Sequence, residues 1–111
     1  MAVFRDFESE VLRLLVAPEL GPAAVETLLQ EAELVSYSYS GSGYFLTVRH
    51  PSLLTQRIVC TRPQLVGRAG ALESGFVVFI ENGELMLECH SWGPATVPPD
   101  FREQAVVIAR A

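Results

Sequence analysis

Near the start of the chain the apolar residues Phe4, Phe7, Val11, Leu14 and Leu15 recur at steps of three and four, while Arg5, Glu8 and Glu10 fall elsewhere. That spacing predicts an amphipathic helix over Val3 to Ala17, with the three charged residues off its apolar stripe. Pro18 is expected to end it, because the residue before a proline is driven out of the helical region. A second helix is expected from Gly21-Pro22, where proline suits the first turn, through Ala23, Val25, Leu28 and Leu29 to about Ala32.

After Glu33 the period falls to two. Val35, Tyr37 and Tyr39 alternate with Leu34, Ser36 and Ser38, the pattern of a half-buried strand, and Ser40-Gly41-Ser42-Gly43 reads as its turn. Tyr44 to His50 is the returning strand, halted by Pro51, and Gln56 to Thr61 a third, halted near Pro63. Leu65 to Leu72 is a weaker strand, because Gly67 and Gly70 suit a bulge, a bend or a close backbone approach. Gly75 to Ile80 and Leu85 to Trp92 flank Asn82-Gly83, the dipeptide best suited to a type I′ hairpin turn. Gly93 to Asp100 holds three prolines and is expected to be irregular. Gln104 to Ala109 is expected to be a last strand, buried on both faces or inserted centrally. Two helices followed by six or seven strands imply an α+β fold, the helices packed on one face or end of a mostly antiparallel sheet. With 111 residues and no repeat or linker, the chain is read as a single domain, 1–111.

The hairpin orders the candidate chemistry. A two-residue turn sets Glu81 opposite Glu84, Ile80 opposite Leu85, Val78 opposite Leu87 and Phe76 opposite Cys89. Phe76, Val78, Ile80, Leu85, Leu87 and Cys89 then share the core face, and Gly75, Val77, Phe79, Met86, Glu88, His90 and Trp92 the opposite face. Cys89 and His90 are thereby separated, and Ser91 points away from His90. A zinc site also lacks the spacing of structural sites, since only His50, Cys60, Cys89 and His90 are available, and no metal or other cofactor is expected. Glu88 and His90 share a face, which suits either a structural polar pair or acid–base chemistry. An enzyme would need a third polar group beside them, with Arg49, Arg57 and Arg68 as candidates. Gly41-Ser42-Gly43 and Gly67-Arg68-Ala69-Gly70 match no phosphate-binding loop. Tyr37, Tyr39, Phe45, Phe79 and Trp92 are core anchors or parts of a contact surface.

Charge narrows the partner. Thirteen acids against eight bases give a net charge of −5, which disfavours nucleic acid and favours a basic partner, or serves solubility alone. No apolar run approaches the ~20 residues of a membrane span, so no membrane partner is expected. The amino-terminal stretch lacks the basic start and cleavage site of a secretory signal, and the two cysteines are too few for a disulfide scaffold. A cytoplasmic location is expected. An exposed sheet edge would support a weak homodimer in place of a monomer.

The run GFVVFIENGELMLECHSWG, Gly75 to Gly93, resembles a signature of small acidic bacterial proteins similar to immunity proteins of contact-dependent growth inhibition and related polymorphic toxin systems. The resemblance implies tight binding of a cognate toxin domain, often a basic nuclease, so that its active site is blocked, and it implies no catalytic residue. The acids of the hairpin tip, Glu81, Glu84 and Glu88, those near the end of the second helix, Glu26, Glu31 and Glu33, and the neighbouring His90 and Trp92 are the expected partner-binding residues. Two other readings stay open: a small-molecule-binding or accessory domain using the Glu88, His90 and Trp92 face, and a small enzyme using Glu88 and His90.

Overall fold

The computed structural model describes residues 3–111. The first helix, α1 (Asp6–Leu15), starts where Glu8 Oε1 accepts the Arg5 backbone N–H at 2.8 Å, satisfying a donor that the first turn leaves free. Pro18 ends nothing: α1 stops at Leu15, and Pro18 lies in the first turn of a separate short helix, α2 (Ala17–Leu20). Among the described residues the α-helices therefore number three, because proline is well suited to the first turn of a helix. Gly21, at φ 91°, makes the turn into α3 (Pro22–Glu31), in a region that strains residues with a side chain.

Seven strands follow: β1 (Glu33–Tyr39), β2 (Gly43–Arg49), β3 (Ile58–Cys60), β4 (Leu65–Ala69), β5 (Leu72–Glu81), β6 (Glu84–Ser91) and β7 (Val107–Arg110). They form one antiparallel sheet in the order β1-β2-β6-β5-β4-β7, with β3 also paired to β5. The α+β layout is as the periodicity implied. β3 and β4 share one edge of β5 end to end: Cys60 stands opposite Val78, and Val66 opposite Gly75. Six steps of chain thus face three of β5, and the surplus, with its cis Arg62-Pro63 bond, loops out over the middle of that strand.

One face of the sheet and the helices enclose the core. Val11, Leu12 and Leu15 of α1 and Val25 and Leu28 of α3 pack with Tyr44, Leu46 and Val48 of β2, Phe76, Val78 and Ile80 of β5, and Leu85 and Leu87 of β6. Phe101 and Val97, from the irregular segment after β6, close one end. The Phe101 ring meets Phe7 edge to face at 5.9 Å between centroids.

Three expectations are corrected. β7 is an edge strand beside β4, with Val107 67% exposed, and is neither central nor buried on both faces. Only Val106 and Ile108 of that segment pack against the core. β1 is also an edge strand, exposed over nearly its whole length where half-burial was expected, and a bulge at Val35 interrupts its register with β2. Glu8, expected off the apolar stripe, is fully buried. Its Oε1 accepts Arg102 Nη2 at 2.8 Å, its Oε2 accepts Arg102 Nε at 2.7 Å, and the Tyr44 hydroxyl also donates to Oε2. Arg102 Nη2 donates as well to the Val3 carbonyl, and its guanidinium lies over the rings of Tyr37 and Tyr44. A two-pronged pair with every carboxylate oxygen occupied is what makes a charge tolerable in such a place.

Candidate interaction surface

The β5–β6 hairpin has the turn its dipeptide implied, with Asn82 at φ 55° and Gly83 at φ 77°. The register is as expected from Glu81 opposite Glu84 to Phe76 opposite Cys89, and it continues to Gly75 opposite His90. Cys89 is buried beneath the sheet, and burial pushes its thiol up to about 12, while Cys60 rises to about 11 for the same reason. Both are inert as nucleophiles near neutral pH. On the other face Glu88 Oε2 lies 3.1 Å from His90 Nδ1 but misaligned for a hydrogen bond, so that among the described residues Nδ1 has no hydrogen-bond partner. The imidazole rests on Gly75: a methyl group there would run into His90 Nε2 and stand 3.0 Å from Trp92 Cε3. Glycine opposite His90 is what lets both rings lie down on the sheet.

This outer face carries an apolar centre. Opposed positions place Phe45 beside Glu88, Thr47 beside Met86, Met86 beside Phe79 and Phe79 beside Val59. Phe45, Val77, Phe79 and Met86 are half-buried, Val59 and Trp92 are exposed, and none belongs to the core enclosed by the helices. The Arg57 guanidinium lies over the Phe79 ring at 5.7 Å. The face thus exposes aromatic and methionine side chains within a charged rim.

The eight residues expected to bind a partner fall into three places. Glu33, Glu84 and Glu81 share one cross-strand row at the hairpin-tip end of the outer face, with Arg49 between Glu33 and Glu84. Glu31 joins Glu33 there, around a cleft of about 340 Å³ that Arg49, His50, Pro51 and Gly83 complete. Most of these acids are already matched: Glu33 with Arg49 at 3.4 Å, Glu81 with Arg57 at 3.3 Å, and Glu31 with His50 Nε2 at 3.0 Å. Glu88, His90 and Trp92 lie further along the same face. Glu26 lies apart on α3, and hydrogen bonds from Arg13 hold its carboxyl below the usual range.

A second cleft, of about 370 Å³, opens where the surplus chain between β3 and β4 loops out. Thr61, Arg62 and Gln64 form one wall, and Val77, His90 and Trp92 the floor and the other wall. Sequence reasoning missed these three wall residues, because only the offset of β3 against β4 brings them there. The arginines proposed to assist Glu88 and His90 are engaged elsewhere: Arg49 with Glu33, Arg57 with Glu81, and Arg68 with Glu73 at 2.9 Å. Arg62, by contrast, forms no ion pair among the described residues.

The net charge is unevenly spread. Residues 3–31, which include the helical layer, hold six acids and two arginines, whereas 32–111 hold seven acids and six arginines. The acidic field therefore centres on the helices and meets the apolar outer face at the end formed by Glu31, Glu33, Glu81 and Glu84. Among the described residues no helix is long and apolar enough to cross a membrane. Comparison of the chain with protein-family models, curated proteins and solved structures finds no match.

Proposed function

We propose that the protein is a binding module of the immunity type, which captures a cognate toxin domain, a basic nuclease being the expected class, and occludes its active site. The observation that supports this reading is the outer face of the sheet. It presents Phe45, Val59, Phe79, Met86 and Trp92 with no helix laid over them, and Glu33, Glu81, Glu84 and Glu88 border them. Aromatic and methionine side chains inside a polar rim are the composition of a protein interface, and an acidic border selects a basic partner. Arg49 and Arg57 neutralise part of that border in the free protein, and Glu84 is the border acid left without an ion pair among the described residues.

The test is to express this chain with the product of the gene directly upstream and to measure co-purification and inhibition of that product's toxic activity. Phe79→Ser with Met86→Ser is expected to abolish capture and protection, while Glu26→Gln, on the far layer, leaves both intact. Undiminished affinity in the double variant would show that this face is not the contact. A second reading rests on the 370 Å³ cleft, whose size suits a small ligand and whose lining includes an unpaired arginine, an imidazole and the chain's single tryptophan. Trp92 fluorescence reports on that cleft, and a saturable change with a small anionic ligand in the absence of any protein partner would favour it.

A further inference from the structure

Among the described residues three sheet edges are free: β7 at one end, β3 beside β5, and β1 at the other end. An unpaired edge is a template for another strand, and soluble proteins protect edges with shortness, charge or proline. β7 is four residues long and ends in Arg110; β3 is three residues long, preceded by Arg57 and followed closely by Arg62 and Pro63. β1 is seven residues long and has no basic residue and no proline, and its one charge, Glu33, sits at its start against Arg49. Its only irregularity is the bulge at Val35, which leaves the stretch after it regular.

That regular stretch is Ser36-Tyr37-Ser38-Tyr39-Ser40, which reads the same in both directions. The Ser40 N–H bonds to the Gly43 carbonyl, so by the alternation of an antiparallel ladder Ser38 and Ser36 also point their backbone groups at β2. Tyr37 and Tyr39 therefore direct their N–H and C=O groups away from the sheet. We infer that β1 is a homodimer interface: a second copy pairs its own β1 antiparallel to this one, about a two-fold axis through Ser38. In that register Tyr37 lies opposite Tyr39 of the partner copy and exchanges both backbone hydrogen bonds with it, and Ser36 lies opposite Ser40.

The side chains fit a second copy of this strand. Tyr37 and Tyr39 both point to the helix side, as their opposition to Leu46 and Tyr44 shows, so the two-fold gathers four tyrosine rings there and leaves the serines facing one another on the outer side. No charge meets a like charge, since Leu34 to Gly43 carries none. Leu34, Val35 and Tyr37, now 54%, 41% and 40% exposed, lie within or beside the paired segment. The outer face keeps its orientation, so the sheet runs continuously through both copies and each retains its own apolar centre.

The experiment is the mass of the whole chain in solution, by sedimentation or light scattering, for the native sequence and for Ser38→Lys and Ser38→Glu. Ser38 lies on the outer side of an edge strand, and a charged residue there leaves the pairing of β1 with β2 intact. The native chain is expected to have the mass of two copies, each single variant that of one copy, because like charges meet at the axis, and an equimolar mixture of the two variants that of two again. Recovery in the mixture separates a lost interface from a lost fold. A native chain of one-copy mass, a dimer that survives both substitutions, or a mixture that stays monomeric overturns the assignment. In the first case, failure of Ser38→Lys to bind the toxin domain would mark β1 as an edge for the partner's strand.

Discussion

Glu8 and Glu88 each lie beside a basic side chain on opposite sides of the same sheet, and they are held in opposite ways. Glu8 has no solvent contact, and both of its oxygens are occupied by Arg102, Tyr44 and the Arg5 backbone. Glu88 keeps about a quarter of its side-chain surface in water and meets His90 at an angle that makes no hydrogen bond. A closed polar cluster ties distant parts of a chain together; an open one is left for something else to complete. The contrast teaches where function is to be sought. The most elaborate polar arrangement in the molecule clamps the first helix to the segment after β6, and the incomplete one faces outward.

The sharpest way to break this comparison is to remove one side of the closed pair. Arg102→Met leaves the Glu8 charge buried without its partner and is expected to cost about 3–5 kcal/mol in urea unfolding. Glu8→Gln with Arg102→Met together is expected to recover part of that loss. A single variant as stable as the native chain would show the clamp to be ornamental.

The next test uses neighbours on β6. Leu87 faces the core and Met86 the outer side, so Leu87→Ala is expected to cost about 2–5 kcal/mol. Met86→Ala, at a half-buried site free of the core, is expected to cost clearly less under the same denaturant. Equal costs would mean that the outer face is covered in solution, as a tight dimer through that face would cover it.

The smallest effect is alkaline. Folding raises Cys89 to about 12 and Cys60 to about 11 from an ordinary value of 9, because burial disfavours the thiolate. Their contribution to stability is complete below pH 9 and is lost as pH rises towards the folded values, since the unfolded chain gives up thiol protons that the folded one keeps. As pH rises through 9 stability is expected to fall, with buried Tyr44, whose hydroxyl is likewise raised by burial, adding to the loss towards pH 10, and Cys89→Ala is expected to flatten the thiol's part of that slope. Parallel slopes for the two proteins would place the thiol in contact with water.

Much of the outer face was legible in advance because two local rules act together. A two-residue Asn-Gly turn sets the register, and the pleat sends alternate side chains to opposite sides, so Cys89 and His90 separate whatever the rest of the chain does. Other features carried no local signal. Glu8 follows the helical pattern of a solvated residue, and its burial is made tolerable by Arg102, 94 positions later, together with the Tyr44 hydroxyl. The walls of the His90 and Trp92 cleft exist because β3 and β4 share one edge of β5 with three residues to spare.

The terminal strands divide along the same line. Alternation in Val35 to Tyr39 and in Val106 to Ala109 determines that these segments are extended. It does not determine which neighbours they find, since an edge strand and a central strand obey the same local geometry. Sequence by itself therefore determined which segments are helical or extended, the turn and the two faces of the hairpin, all of which depend on residues a few positions apart, but not the break that divides α1 from α2. Only the tertiary structure decided that β1 and β7 are edges, that Glu8 is enclosed, and that the acids of α3 and of the hairpin tip meet at one end of the sheet. Those outcomes depend on which distant segments pack together, a choice made by the burial of the whole core and not by any stretch of it.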